Sequence, residues 1–183
     1  MHVQQAKVDL IEFLHSGTFA GIALGMSGKE IEKILGEPET FGGLSANETV
    51  SSAMPKRRKF KDSTRTPTKD KALIWRYGDF EFHFARPANS LWMIFSDHFQ
   101  GRPKGGSKLL VEDSFVCGQV RLMEMDPAFK TAGLSYEPVL VDSSNTTRIA
   151  FESGVQLEFL DTAEEGGPPA GLNGLSYSIS EFL

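Results

Sequence analysis

Glu81, His83, Asp97 and His98 are the residues of this chain whose types and spacing could do chemistry. On a strand, side chains two positions apart point to the same side, so Glu81 and His83 share a face. Asp97-His98 closes the next apolar run, and the four groups could converge as metal ligands or as an acid and base pair. They read equally as a polar sheet surface that meets a partner or water. No Ser, Cys or Lys nucleophile with a recognisable local motif accompanies them.

Two glycine-rich stretches resemble phosphate-binding loops and fail as such. GRPKGGSK (Gly101 to Lys108) runs Gly-Ser-Lys where the loop needs Gly-Lys-Ser or Gly-Lys-Thr, and in GMSGKE a Glu follows the Lys. The single cysteine, Cys117, cannot form an internal disulfide and excludes a multi-cysteine zinc site, which fits a reducing compartment. Its expected role is that of a small buried thiol. No cofactor is expected.

Charge is unevenly spread. Residues 1–110 hold 16 Lys and Arg against 12 Asp and Glu, and residues 111–183 hold 3 against 12, so the net −5 divides into +4 and −9. A basic run, Met54 to Lys71, carries Lys56, Arg57, Arg58, Lys59 and Lys61 among its eight cations. An acidic body with one basic segment lacks the continuous positive surface that phosphate binding requires, so nucleic acid is not the expected partner. A basic protein suits it better. The basic run itself has a plain alternative as a solvated loop, and contact with an acidic partner or RNA is the functional one. No run approaches the roughly 18 apolar residues of a membrane span, and MHVQQAKVDLIEFLHSG has charges inside its apolar pattern, so a cytoplasmic protein is expected.

The elements that must position these residues recur twice. WRYGDFEFHF (Trp75 to Phe84) predicts a hairpin turning at Gly78, with Phe80, Phe82 and Phe84 on the dry face. TRIAFESGVQLEFLD (Thr147 to Asp161) repeats it around Gly154, with Val155, Leu157 and Phe159 in the places of those three. Gln156, Glu158, Ile179 and Ser180 fall where Glu81, His83, Asp97 and His98 stand, so a symmetric catalytic site is excluded. A third apolar strand follows each hairpin, Leu91 to Phe99 and Gly174 to Phe182. Trp75, Trp92 and the three alternating Phe are expected in the core, and Leu91 to Phe95 is apolar at every position, as in a strand covered on both faces or one whose outer face meets a partner.

Helices precede the hairpins. GMSGKEIEKILGEPE (Gly25 to Glu39) predicts an N-cap at Ser27 with Glu30 completing a capping box, Ile31, Ile34 and Leu35 on one face, and a stop at Gly36. EMDPAFKTAGLSYEP (Glu124 to Pro138) predicts Asp126 as cap, Pro127 at the first helical position, Phe129 and Ala132 inward and Gly133 as stop. Val3, Ala6, Leu10 and Leu14 form the stripe of a further helix over 3–15, ended by Gly17. Lys108 to Val120 reads as strand or short helix. Glu39 to Asp70, without periodicity, is expected to be a long functional or disordered connection.

The string GMSGKEIEKILGEP followed by the YGDFEFHF hairpin resembles the tandem helix-plus-sheet units of the β-lactamase-inhibitor-protein and BamE-like group. The hairpin also resembles that of small immunity proteins encoded beside bacterial polymorphic toxins. The first resemblance implies an α+β fold of two tandem repeats, each a helix followed by a three- or four-stranded antiparallel sheet. The two sheets could join edge to edge as one continuous curved sheet with helices on one face. Residues 1–107 form the first unit, with a basic insert at about 40–70, and 108–183 the second, acidic unit. BamE-like proteins carry a signal peptide and a lipid-anchoring Cys, neither of which is seen here. The second resemblance implies an inhibitory protein-binding module and no enzyme, its partner a basic toxin domain whose active site it covers. The residues expected to meet that partner are Glu81, His83, Asp97 and His98 on the first sheet and Glu152, Glu158, Asp161, Glu164 and Glu165 on the second. The alternative is a small metal-dependent hydrolase using Glu81, His83, Asp97 and His98.

Overall fold

The computed structural model describes residues 5–42, 69, 72–99, 101–112, 116, 120–139, 145–161 and 170–179. Among the described residues the fold is α+β, three helices and a mostly antiparallel sheet that does not close. The basic residues Lys56, Arg57, Arg58, Lys59 and Lys61, together with Cys117, Glu164, Glu165 and Ser180, lie outside the described residues.

Period-two alternation builds the first hairpin. β3 (Ile74–Tyr77) and β4 (Phe80–Ala85) pair through Tyr77 opposite Phe80, with Gly78 at φ +60° in the two-residue turn. Phe80, Phe82 and Phe84 are at most 2% exposed, and Trp75 and Tyr77 face the same way. β8 (Thr146–Phe151) and β9 (Val155–Leu160) form the later hairpin, turning through Gly154 at φ +87°. The third strands are β5 (Ser90–Ser96) and β10 (Gly171–Ser178). β2 (Thr40–Gly42) and β7 (Tyr136–Val139) add one outer strand each. The resulting order is β2-β3-β4-β5-β10-β9-β8-β7, with β5 and β10 paired antiparallel at the middle.

All three helices lie on the Phe80 side of this sheet. α1 (Leu10–Ser16) packs Phe13 against Phe19 at 5.1 Å and against Tyr177 of β10 at 5.6 Å between ring centroids. The Ser153 hydroxyl donates to the carbonyl of Leu14 at 2.6 Å and ties this helix to the β8–β9 turn. α2 (Gly28–Leu35) begins with the predicted capping box, Ser27 and Glu30 each accepting from the other's backbone N–H. Its first residue must be small, because a Cβ on Gly28 would stand 2.8 Å from the Trp75 ring. α3 (Leu122–Thr131) buries Phe129 against Phe151 at 5.3 Å.

Several expectations are corrected. No single helix covers 3–15: Asp9 accepts the N–H groups of Ile11 and Glu12 and starts α1 only at Leu10. Upstream, β1 (Ala6–Val8) pairs in parallel with β6 (Leu109–Val111), so the ambiguous segment after Lys108 opens as a strand. The apolar spacing of Ala6 and Leu10 belongs to two elements that reach one core. Ile34 is 43% exposed, since Ile31 and Leu35 alone complete the buried edge of α2. α3 starts a turn earlier than predicted, with Arg121 at the N-cap position, its N–H donating to Glu124, and Pro127 inside the helix. Asp126 instead accepts from Lys130 and from the Tyr136 hydroxyl. The connection after Glu39 is not wholly irregular, because Thr40–Gly42 forms the β2 edge.

GRPKGGSK has a structural role. Asp79 donates its N–H to the carbonyl of Lys104 at 2.8 Å, and its carboxylate accepts the Lys104 N–H at 2.6 Å. Glu39 reaches in from the start of β2 to accept the N–H of Gly78 at 2.9 Å and that of Ser107. Two carboxylates thus clasp the β3–β4 turn to the glycine loop.

This clasp sets apart two glycines with similar backbones. A Cβ on Gly133, at φ +71°, would have nothing within 4 Å, whereas a Cβ on Gly78 would fall 2.1 Å from the Lys104 carbonyl oxygen. Gly133→Ala is expected to cost about 1–2 kcal/mol for the left-handed conformation. Gly78→Ala should cost the same plus about 1–3 kcal/mol for the clash. Urea unfolding of both variants checks this, and equal losses would show that the glycine loop yields freely.

Candidate functional site

With α1, α2 and α3 on one side, the opposite side of the sheet is the candidate site. Its side chains are those that alternate with the core residues: Ile74 and Arg76 on β3, Glu81 and His83 on β4, Ser176 and Ser178 on β10, Gln156 and Glu158 on β9 and Arg148 on β8. The middle of this face is apolar. On β5 the register shifts opposite His83 and Phe84, so that Met93 pairs with His83, Leu91 with Phe84, and Trp92 is the extra residue. The Trp92 ring lies 6.1 Å from that of His83 and the Phe95 ring 6.4 Å, both edge-on. Trp92 was expected in the core with Trp75. The bulge turns it to the other side, where it is half-buried, while Leu91 and Ile94 are fully buried beneath.

Polarity is neutralised locally. Glu81 receives Arg76 from the directly opposite position on β3 and the His83 ring at 2.9 Å. Burial holds the His83 pKa below its ordinary 6.5, outweighing the hydrogen bond and charge of Glu81, which raise it, and the Arg76 charge lowers it further. The ring is therefore neutral near pH 7. A carboxylate only accepts, so Nε2 carries the proton towards Glu81 and Nδ1 is left as an acceptor. In the second half, Arg148 pairs with Glu158 at 2.7 Å, again from directly opposite strand positions.

The residues singled out in the sequence divide into groups. Glu81, His83 and Glu158 share the open face. Asp97 and His98 follow β5, are well exposed and lie 3.4 Å from each other. Glu152 is exposed in the β8–β9 turn, and Asp161 sits just beyond β9, where it accepts from the Thr147 hydroxyl at 3.0 Å. Among the described residues no three His, Cys, Asp or Glu stand together as a possible metal site. Also among the described residues, no helix is long and apolar enough to cross a membrane. Sequence reasoning missed Arg76 as a member of the face and left open whether Met93 and Phe95 face a partner or a covering layer. The pairing of Arg76 with Glu81 was accessible from the two-residue turn at Gly78-Asp79, which fixes the register.

The depressed His83 pKa gives stability a defined slope. Between the folded and the unfolded pKa, only the unfolded chain binds the proton, so stability is full above 6.5 and falls as pH drops from 6.5 through the folded value. His83→Gln should flatten this part of the pH profile. By NMR titration, Arg76→Ala should raise the His83 pKa and Glu81→Gln should lower it further; the opposite order would mean that the Arg76 and Glu81 charges do not act on the ring as this geometry places them.

In comparison with known proteins, no family model, no curated protein and no solved structure matches this chain.

Proposed function

We propose that the protein is an inhibitory protein-binding module, an immunity protein that neutralises a cognate bacterial toxin by covering its active site with the open face of the sheet. The observation that carries this reading is the half-buried Trp92, Met93 and Phe95 ridge on the central strand, flanked by the Arg76–Glu81–His83 cluster. Aromatic and Met side chains bordered by charges whose pairing is already satisfied are what a protein interface concentrates at its centre. The net −9 of residues 111–183 supports a basic partner, because a long-range negative field speeds the encounter with one. A cytoplasmic setting belongs to the same proposal.

We also read the sheet as two copies of one helix-plus-sheet unit. Support comes from the strand order, in which hairpin and third strand run outward from the β5–β10 joint in both directions, and from a register shift in each third strand. An experimental structure in which strands 74–96 fail to superpose on strands 146–178 would remove this reading.

The test is co-expression with the toxin domain encoded in the neighbouring reading frame, followed by binding kinetics. Phe95→Asp, directly opposite Glu81 on the open face, should weaken binding roughly 30-fold or more, as for an interface hot spot, while cooperative unfolding is retained at a lower midpoint because two carboxylates then face each other. Raising salt from about 50 to 500 mM should slow association several-fold and leave dissociation little altered. Full protection by the Phe95→Asp variant, or a neighbouring frame without a toxin domain, would overturn the reading. Stoichiometric zinc or manganese on the purified protein would do the same.

A further inference from the structure

A second concavity lies away from the Trp92 ridge, between the start of α3 and the ends of β8 and β9. Its volume is about 590 Å³, and Phe159, Leu160, Leu122 and Tyr136 supply apolar lining. Met123 stands at its mouth 75% exposed, the most exposed large apolar side chain among the described residues. An unbranched thioether in that position can adjust to an incoming ring.

The polar lining is not equivalent on all sides. Asp126 is engaged by Lys130 at 2.6 Å and by the Tyr136 hydroxyl at 2.8 Å. Asp161 is different: both of its oxygens lie 3.0 Å from the single Thr147 hydroxyl, which has one proton to give. Its remaining lone pairs face an exposed rim and suit a cation. Arg121 is the cation of the lining, at the α3 end of the cavity. It is one of three Lys and Arg in residues 111–183, and the other two, Lys130 and Arg148, are held by Asp126 and Glu158. The field around the cavity therefore remains negative overall.

We propose that this cavity takes an aromatic side chain and the basic residue next to it, presented together by a protein segment. The ring would enter against Met123, over Leu122 and Leu160, and the cation would sit on Asp161. The inference deepens the protein-binding reading and rests on it for the source of the segment, while the cavity itself can be tested alone.

The probe is acetyl-Lys-Phe-amide titrated into the full chain, with acetyl-Glu-Phe-amide and acetyl-Lys-Ala-amide as controls, observed through the methyl resonances of Leu122, Met123 and Leu160. Saturable shifts are expected with the Lys-Phe probe, at least tenfold weaker binding of both controls, and a loss of about threefold or more for Lys-Phe in Asp161→Asn. Equal binding of all three probes overturns the proposal, as do shifts centred on Trp92 and Phe95. Absence of shifts in every arm, the result if a second copy of the chain holds the cavity, overturns it too. Phe95→Asp should leave dipeptide binding intact. Undiminished partner capture by Phe95→Asp with intact dipeptide binding would therefore sink only the role of the open face, and weakened capture by Phe95→Asp with no Lys-Phe binding in any form of the chain only that of the cavity.

Discussion

Burial of Phe80, Phe82 and Phe84 on one side of β4 is the constraint from which the rest of the molecule follows. A slip of one residue would carry three rings into water and place Glu81 and His83 against α1 and α2, so the register has no near alternative. Fixing those rings fixes their neighbours. Phe19 packs on Phe80 at 4.8 Å and on Phe82 at 5.8 Å, Tyr77 stands at 5.2 Å from Phe82, and Trp75 at 4.8 Å from Phe84. The polar residues between them have one place left to go, and Arg76 meets Glu81 there because the same register sets them opposite each other.

The helices and the glycine loop work against that framework from one side. Tyr77 shows how closely they fit: its hydroxyl donates to the Gly36 carbonyl at 2.9 Å, closing the end of α2. Burial strongly opposes its ionisation, so the bond persists across the physiological range. Together with the Glu39 and Asp79 clasp, this leaves the β3–β4 end of the sheet held by hydrogen bonds to three separate segments. Those bonds anchor the turn that leads directly into Glu81 and His83, so both side chains leave it in a fixed register.

Much of this was legible in the residues, and the failures have physical causes. The hairpins announced themselves through alternation and through Gly78 and Gly154, and the capping box of Ser27 and Glu30 was read directly. The outer strands were not, because Thr40–Gly42 and the Tyr-Glu-Pro-Val of β7 are short edge segments with no alternation to detect. The N-terminal stripe misled because β1 and α1 feed the same core, so Ala6 and Leu10 imitate helical spacing across the Asp9 cap. Of the site, Glu81, His83 and Glu158 were found from their strand positions. Trp92 was misplaced because its direction depends on a register shift that propensity does not encode. Asp97 and His98 follow the strand as expected, yet the chain turns away after Ser96 and leaves them beside each other in solvent.

The β5–β10 joint has a consequence for how the protein is made. The two strands are separated by 74 residues, from Ser96 to Gly171, and β5 has β4 on one side only until β10 arrives. At a translation rate of roughly 5–20 residues per second, that is a wait of about 4–15 s with an unpaired edge and the Trp92, Met93 and Phe95 ridge beside it. α1 waits as well, since Tyr177 and the β8–β9 turn that it packs against come from the same late segment. The nascent chain therefore carries the apolar ridge of β5 beside an edge that stays open through much of synthesis, and its yield in a cell depends on what shields that edge as well as on the stability of the finished sheet.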